Sequence, residues 1–238
     1  MQFDTATSSS WKFGHRGRVA VFIDGNNLFH AARFHTIDID YNKLLRILLG
    51  DGRLLRAFFY TGVDAGAERQ QGFLLWMRRN GFRVVQKELK TFYDGTRKAN
   101  LDVEIAVDML SLAGRYDTAV LVSGDEDFVY AVNAVAYKGC RVEVAGFRSN
   151  TAPRLIDVAD FFIDLGDISE MIRKDATQGE GYDVPSFVPA GEIPVPDVLR
   201  GHSRDNSGRL PRNGPPQPDV LDERSDERKT FLRVTDER

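Results

Sequence analysis

Two short runs constrain the fold of this chain more than any other feature. Val19-Ala20-Val21-Phe22-Ile23 and Thr118-Ala119-Val120-Leu121-Val122 carry apolar side chains on both faces of an extended backbone. Such strands need cover on both sides, the situation of central strands in a parallel sheet. The chain between and after them supplies that cover. Residues 41–50 are apolar at 44, 45, 48 and 49, and Gly50 suits a helix stop. Helical patterns recur at 67–81, 101–114, 126–139 and 150–159, and strand-like runs at 54–60, 82–89, 140–147 and 160–165. Strands alternating with helices of about 10–15 residues make crossover units. The expected fold class is therefore α/β, a three-layer α/β/α Rossmann-like domain with a central, mostly parallel sheet over 18–173. In such sheets ligands bind beyond the carboxyl ends of the strands.

The flanks read differently. Residues 1–17 are polar and glycine-containing, an expected flexible lead-in. Eight of the nine prolines lie from Pro185 onward, and Asp-Glu-Arg recurs at 222–224, 226–228 and 236–238. A segment of that composition buries too little to order itself, so 174–238 is expected to be a disordered Pro-rich and charged tail. "VPSFVP" within it is readable as a docking motif for a protein partner or as bare linker, and the composition favours linker.

The 238 residues are enough for one well-buried domain with extra segments, or for two small ones. A net charge of −3 argues against a protein that coats polyanions, while leaving room for a local basic patch. A single cysteine, Cys140, excludes an intrachain disulfide and a cysteine-rich metal site, and its strand-like setting reads as a buried, inert thiol. No apolar stretch approaches the roughly 20 residues of a bilayer span, and the N-terminus lacks the apolar core of a secretion signal, so a cytoplasmic location is expected.

The carboxylates fall at strand ends. Asp24 follows the first strand in "VFIDGNN", Asp125 and Asp127 follow a later one in "LVSGDEDF", and Asp102 opens the helix "LDVEIAVDML". Each has a plain structural reading, as a helix cap or as part of a turn at Asp24-Gly25. Together they would crowd one edge of the sheet, where carboxylates repel unless a cation holds them. Hard oxygen ligands without His or Cys select Mg²⁺ or Mn²⁺, a choice suited to phosphate chemistry. Asn27 is placed to orient a carboxylate or meet a phosphate, and Asn26 to shape the turn. Ser123 is placed to donate to a carboxylate. Asp108, nearly two helical turns beyond Asp102, is expected to back the cluster or to be structural. Glu104 is about 200° around that helix from Asp102 and is expected in solvent. The loop before Asp102 interleaves Lys87, Lys90, Arg97 and Lys98 with Phe92 and Tyr93, as a single-stranded nucleic-acid arm would, or as a solvated loop does.

"VFIDGNN", "KANLDVEIAVDML" and "LVSGDEDFVYAV", in that order, resemble the NYN-domain proteins, and more closely the LabA-like branch of the PIN-like nuclease superfamily, over about residues 18–168. The resemblance implies a PIN-like fold and a metal-dependent ribonuclease using Mg²⁺ or Mn²⁺, for which the basic and aromatic loop suggests single-stranded RNA as the partner. By motif, Asp24, Asp102, Asp125 and Asp127 match its acidic positions, Asn27 its asparagine, and Lys98 a basic position just before the helix motif. The same residues suit a catalytically weak RNA- or protein-binding regulator, and the oligomeric state, a homodimer included, is left open. A haloacid-dehalogenase-type phosphatase wants an acid where Asn26 stands. A dinucleotide-binding protein wants a Gly-rich loop after the first strand, which is missing here.

Overall fold

The fold is that of a computed structural model, which describes residues 15–64, 67–91, 93, 97–175 and 186–189. Its elements are β1 (Arg18–Asp24), α1 (Gly25–Phe34), α2 (Tyr41–Leu49), β2 (Arg53–Val63), α3 (Glu68–Arg79), β3 (Phe82–Glu88), β4 (Lys90–Thr91), β5 (Arg97–Lys98), α4 (Asp102–Leu112), β6 (Thr118–Val122), α5 (Val129–Ala136), β7 (Arg141–Gly146), α6 (Pro153–Val158), β8 (Phe161–Asp164) and α7 (Ser169–Ile172). Single 3₁₀ turns at Glu126–Phe128 and Arg148–Asn150 lead into α5 and α6.

Six strands form one sheet in the order β3-β2-β1-β6-β7-β8, and every neighbouring pair is parallel. The two fully apolar runs lie side by side at its centre, with Ile23 opposite Val122. Their side chains divide by parity, as a pleated strand requires. Val19, Val21, Ile23, Val120 and Val122 enter the core beneath α1, α2 and α3. Ala20, Phe22, Ala119 and Leu121 enter the core beneath α4, α5 and α6. Both layers are closed by residues already apolar in sequence, such as Leu44, Leu48, Phe73 and Met77 on one side and Ile105, Met109, Val132 and Leu155 on the other. Cys140 is buried.

From β1 the chain builds outward through β2 and β3, then returns to the far side of β1 with β6. The direction of winding therefore reverses between β1 and β6, and a crevice opens beyond their carboxyl ends. This reversal fixes where the site lies.

Two local expectations are corrected. Asp24-Gly25-Asn26-Asn27 forms no turn: α1 starts immediately at Gly25. Asp24 is its N-cap, in extended conformation (φ −73°, ψ 98°), with Oδ1 accepting from the Asn27 amide at 3.1 Å. Asn26 instead accepts from the Thr61 hydroxyl at 3.2 Å. The second correction concerns the tail. Its expected disorder falls mostly on residues outside those described, but Ser186–Pro189 does not behave as bare linker. Phe187 is 4% exposed and lies in the core with Phe59 and Phe73. An aromatic side chain gains enough by burial to hold a short segment that proline-rich composition alone would leave unfolded.

Candidate metal and nucleic-acid site

Strand geometry and capping together deliver the acids. Asp24 ends β1 and Ser123 follows β6, so the parallel register sets them side by side, with Ser123 Oγ 3.3 Å from Asp24 Oδ2. The same hydroxyl accepts from the Asp125 amide at 3.3 Å. Gly124 allows the bend: a Cβ there would fall 2.0 Å from the Asn150 carbonyl oxygen. Its amide donates to Asn27 Oδ1 at 2.9 Å, tying the first turn of α1 to the loop after β6. Asp125 then caps the 3₁₀ turn, with Oδ1 accepting from the Asp127 amide at 3.0 Å.

The third segment arrives from the β3 side. β4 and β5 pair antiparallel and lead into Asn100. The Asn100 side chain grips Asp102 twice, with Oδ1 accepting the Asp102 amide at 2.8 Å and Nδ2 donating to Asp102 Oδ2 at 2.6 Å. Lys87 secures this loop from below, donating to the Asn100 carbonyl at 2.9 Å and pairing with Glu104 at 2.7 Å. The hydrogen bond from Lys87, with its charge adding a smaller part, holds Glu104 below its ordinary carboxylate range. Lys87 is thus tied to this loop and to Glu104, and Glu104 is half-buried and paired.

One oxygen each from Asp102, Asp125 and Asp127 lies within 4.8 Å of the others. Oxygens sharing one Mg²⁺ at about 2.1 Å stand at most about 4.2 Å apart, so a small rotation of side chains closes the group around a divalent ion. The donor set is all carboxylate, which fits Mg²⁺ or Mn²⁺. Asp24 is outside this trio and deeper. Burial pushes it up to about 6, with the Asp102 and Asp125 charges acting in the same direction and the Asn27 amide and Ser123 hydroxyl against it. Burial also raises Asp102, reinforced by the charges of Asp125, Asp127 and Glu104 and opposed by Asn100. Burial and mutual repulsion of this kind are the electrostatic signature expected of a site for a positive ligand.

The remaining expected site residues separate. Asp108 does not back the cluster; it accepts from the Tyr60 hydroxyl at 2.9 Å, on the side of α4 that faces β2. The backbone of Arg97 and Lys98 forms β5, while their side chains, like Phe92, fall outside the described residues. Tyr93 is fully exposed. Arg148 pairs with Asp164 at 3.1 Å and covers the Phe162 ring. Asn100 was not singled out by sequence reading, although an asparagine two residues before an acid at a helix start is a recognisable hydrogen-bonding signal.

The profile of the NYN domain matches residues 18–168, the span that contains every one of these segments. The chain belongs to the NYN domain family. The chain is 34% identical over 181 residues to the low amplitude and bright protein LabA of Synechococcus elongatus, covering 73% of this chain and 97% of that protein. It is 24% identical over 160 residues to the uncharacterized protein MJ0482 of Methanocaldococcus jannaschii, 66% of this chain and 59% of that one. Among solved structures it is similar to VPA0982 of Vibrio parahaemolyticus, a protein of unknown function. That likeness has a TM-score of 0.59 and 27% identity, and covers 67% of this chain and 98% of that chain. NYN domains are of the PIN-like nuclease type, and nucleases of this type typically use divalent metals. Among the described residues no helix is long and apolar enough to cross a membrane.

Proposed function

We propose that this NYN domain is a metal-dependent ribonuclease, hydrolysing phosphodiester bonds of single-stranded RNA at the Asp102–Asp125–Asp127 cluster. The observation that carries the reading is the convergence of three carboxylates, from two distant segments, within 4.8 Å at the sheet reversal. A bound Mg²⁺ or Mn²⁺ would offset the charge that develops on the phosphate. The protein's own groups do the rest. Asp102, Asp125 and Asp127 would hold the cation, while Asn100 keeps Asp102 in place and Ser123 orients Asp24. Asp24, raised to about 6 by burial, is a proton acceptor suited to neutral pH, where a base must be free yet retain affinity for a proton. The β4–β5 hairpin, leading straight to Asn100 and presenting Tyr93 to solvent, is the arm for the RNA strand.

The test is cleavage of an end-labelled single-stranded RNA with Mn²⁺, wild type against Asp125→Asn. Metal-dependent cleavage that EDTA and the substitution both abolish supports the reading. RNA binding with no metal-dependent cleavage in the wild type replaces it with a binding regulator that retains the site. LabA, whose name specifies no reaction, is compatible with that outcome.

A further inference from the structure

Phe187 is separated from the rest of the described fold by residues 176–185, yet its ring is almost fully buried. It stands 5.7 Å from Phe29 of α1, 5.1 Å from Phe59 of β2 and 5.0 Å from Phe73 of α3, centroid to centroid. One side chain thus touches three elements of the same layer. Tyr41 of α2 completes the socket wall, 5.5 Å from Phe59 and 5.4 Å from Phe73. A polar clasp lies beside the ring. Ser186 Oγ donates to Asp38 at 2.8 Å and accepts from Lys174 at 2.9 Å, and Lys174 pairs with Asp38 at 3.5 Å. Pro189, two residues on, is also buried.

Two of the three ring contacts lead to the carboxylate edge. Phe29 is one turn from the start of α1, the helix that Asp24 caps and that presents Asn27. Phe59 abuts the first residue of that helix: a Cβ on Gly25 would fall 2.5 Å from Phe59 Cζ. With glycine at this position the ring closes directly on the backbone next to Asp24. Phe187 therefore wedges α1 from its flank and, through Phe59, from its first residue.

We propose that Ser186–Pro189 is a docked positioning motif, in which Phe187 fixes α1 and thereby sets where Asp24 and Asn27 stand at the site. The motif is a positioning element because its contacts are with Phe29, Phe59, Phe73, Asp38 and Lys174, away from the site carboxylates. It works through a rigid helix whose Asn27 holds the Gly124 amide. The metal arm of its test rests on the cation reading given above; the amide arm does not.

The experiment uses the full chain, ¹⁵N-labelled, as wild type, Phe187→Ala and the conservative Phe187→Leu. Amide exchange is read residue by residue at a temperature where circular dichroism shows all three folded. In Phe187→Ala the amides of α1 and the single amide of Gly124 are expected to exchange about tenfold faster or more, with β7 unchanged. Phe187→Leu restores most of the protection, as does a synthetic peptide of residues 183–192 added to the alanine variant. In the second arm, half-saturation by Mn²⁺ alone, without RNA, shifts at least about fivefold upward in Phe187→Ala and returns with the peptide. A purely stabilising role predicts uniform acceleration across the sheet, or none at Gly124, and either result overturns the proposal. Where the wild type binds Mn²⁺, so does a loosened α1 in Phe187→Ala with no accompanying Mn²⁺ shift. A wild type that binds Mn²⁺ and cleaves no RNA removes the nuclease reading and leaves this one standing. Where no Mn²⁺ binds, the Gly124 amide alone decides.

Discussion

Replacing Asp24 by Asn should make the metal-free protein more stable, and by an amount that depends on pH. The buried carboxyl is raised from 3.8 to about 6, so the folded chain holds its proton over a range where the unfolded chain has released it. The sign follows from linkage: the contribution of a raised carboxyl is fully present below the unfolded value and is lost as pH rises through the folded one. At about 1.4 kcal/mol per pH unit, the shift leaves the ionised Asp24 costing about 3 kcal/mol above pH 7. Asparagine keeps the cap, since Oδ1 still accepts the Asn27 amide and Asn is as good a capping residue as Asp. Ser123 can turn its hydroxyl to accept from the new amide where it now donates to Asp24. Urea unfolding in EDTA, followed from pH 4 to pH 8, should show the two proteins equal near pH 4. The Asn variant should be more stable by up to about 3 kcal/mol at pH 8. Added Mn²⁺ should narrow the gap, because a cation held by Asp102, Asp125 and Asp127 also offsets the charge of the neighbouring Asp24 in the wild type. An Asn variant less stable than the wild type in EDTA at pH 8 refutes the account of Asp24 as a strained, buried charge.

Two further substitutions test the frame around the acids. Asn100→Ala frees Asp102 from both of its hydrogen bonds and should weaken Mn²⁺ binding about 10–100-fold in calorimetric titration, with the fold intact. Gly124→Ala places a methyl group 2.0 Å from the Asn150 carbonyl oxygen. It should cost about 2 kcal/mol or more in urea unfolding and weaken Mn²⁺ binding. Gly72→Ala, where a Cβ meets nothing within 4 Å in α3, should instead stabilise by up to about 1 kcal/mol.

What could be read from sequence follows from how local each signal is. β1 and β6 were legible because an unbroken apolar run has one use in a crossover fold, and both occupy the sheet centre. The gathering of Asp102, Asp125 and Asp127 followed from a rule about strand ends, not from their spacing, and the structure brings those three together. α1 was missed because Asp-Gly-Asn-Asn is turn chemistry; its helical fate is set by the Asp24 cap and by burial of Leu28, Ala31 and Ala32 against the sheet. Asp108 had two readings because helical phase gives a face but not its neighbour, and the Tyr60 hydroxyl bond favours the structural one. The separate depth of Asp24 and the docking of Phe187 depend on contacts between residues far apart in the chain, which no window of sequence contains. Lys87 shows the same limit: beside Lys90 it reads as part of a basic loop, and in space it belongs to Glu104.

The reversal of winding at the sheet centre also orders events in time. β1 is made early, yet one of its two neighbours, β6, pairs with it from 99 residues further along the NYN domain of 18–168. Asp24 leaves the ribosome long before Ser123, Asp125 and Asp127, and until β6 seats against β1 there is no edge on which the acids can meet. Long-range parallel pairing of this kind forms late and slowly. A nascent chain still tethered to the message that encodes it therefore carries its carboxylates scattered. The cluster comes into being only when nearly all of the domain has been synthesised and closed.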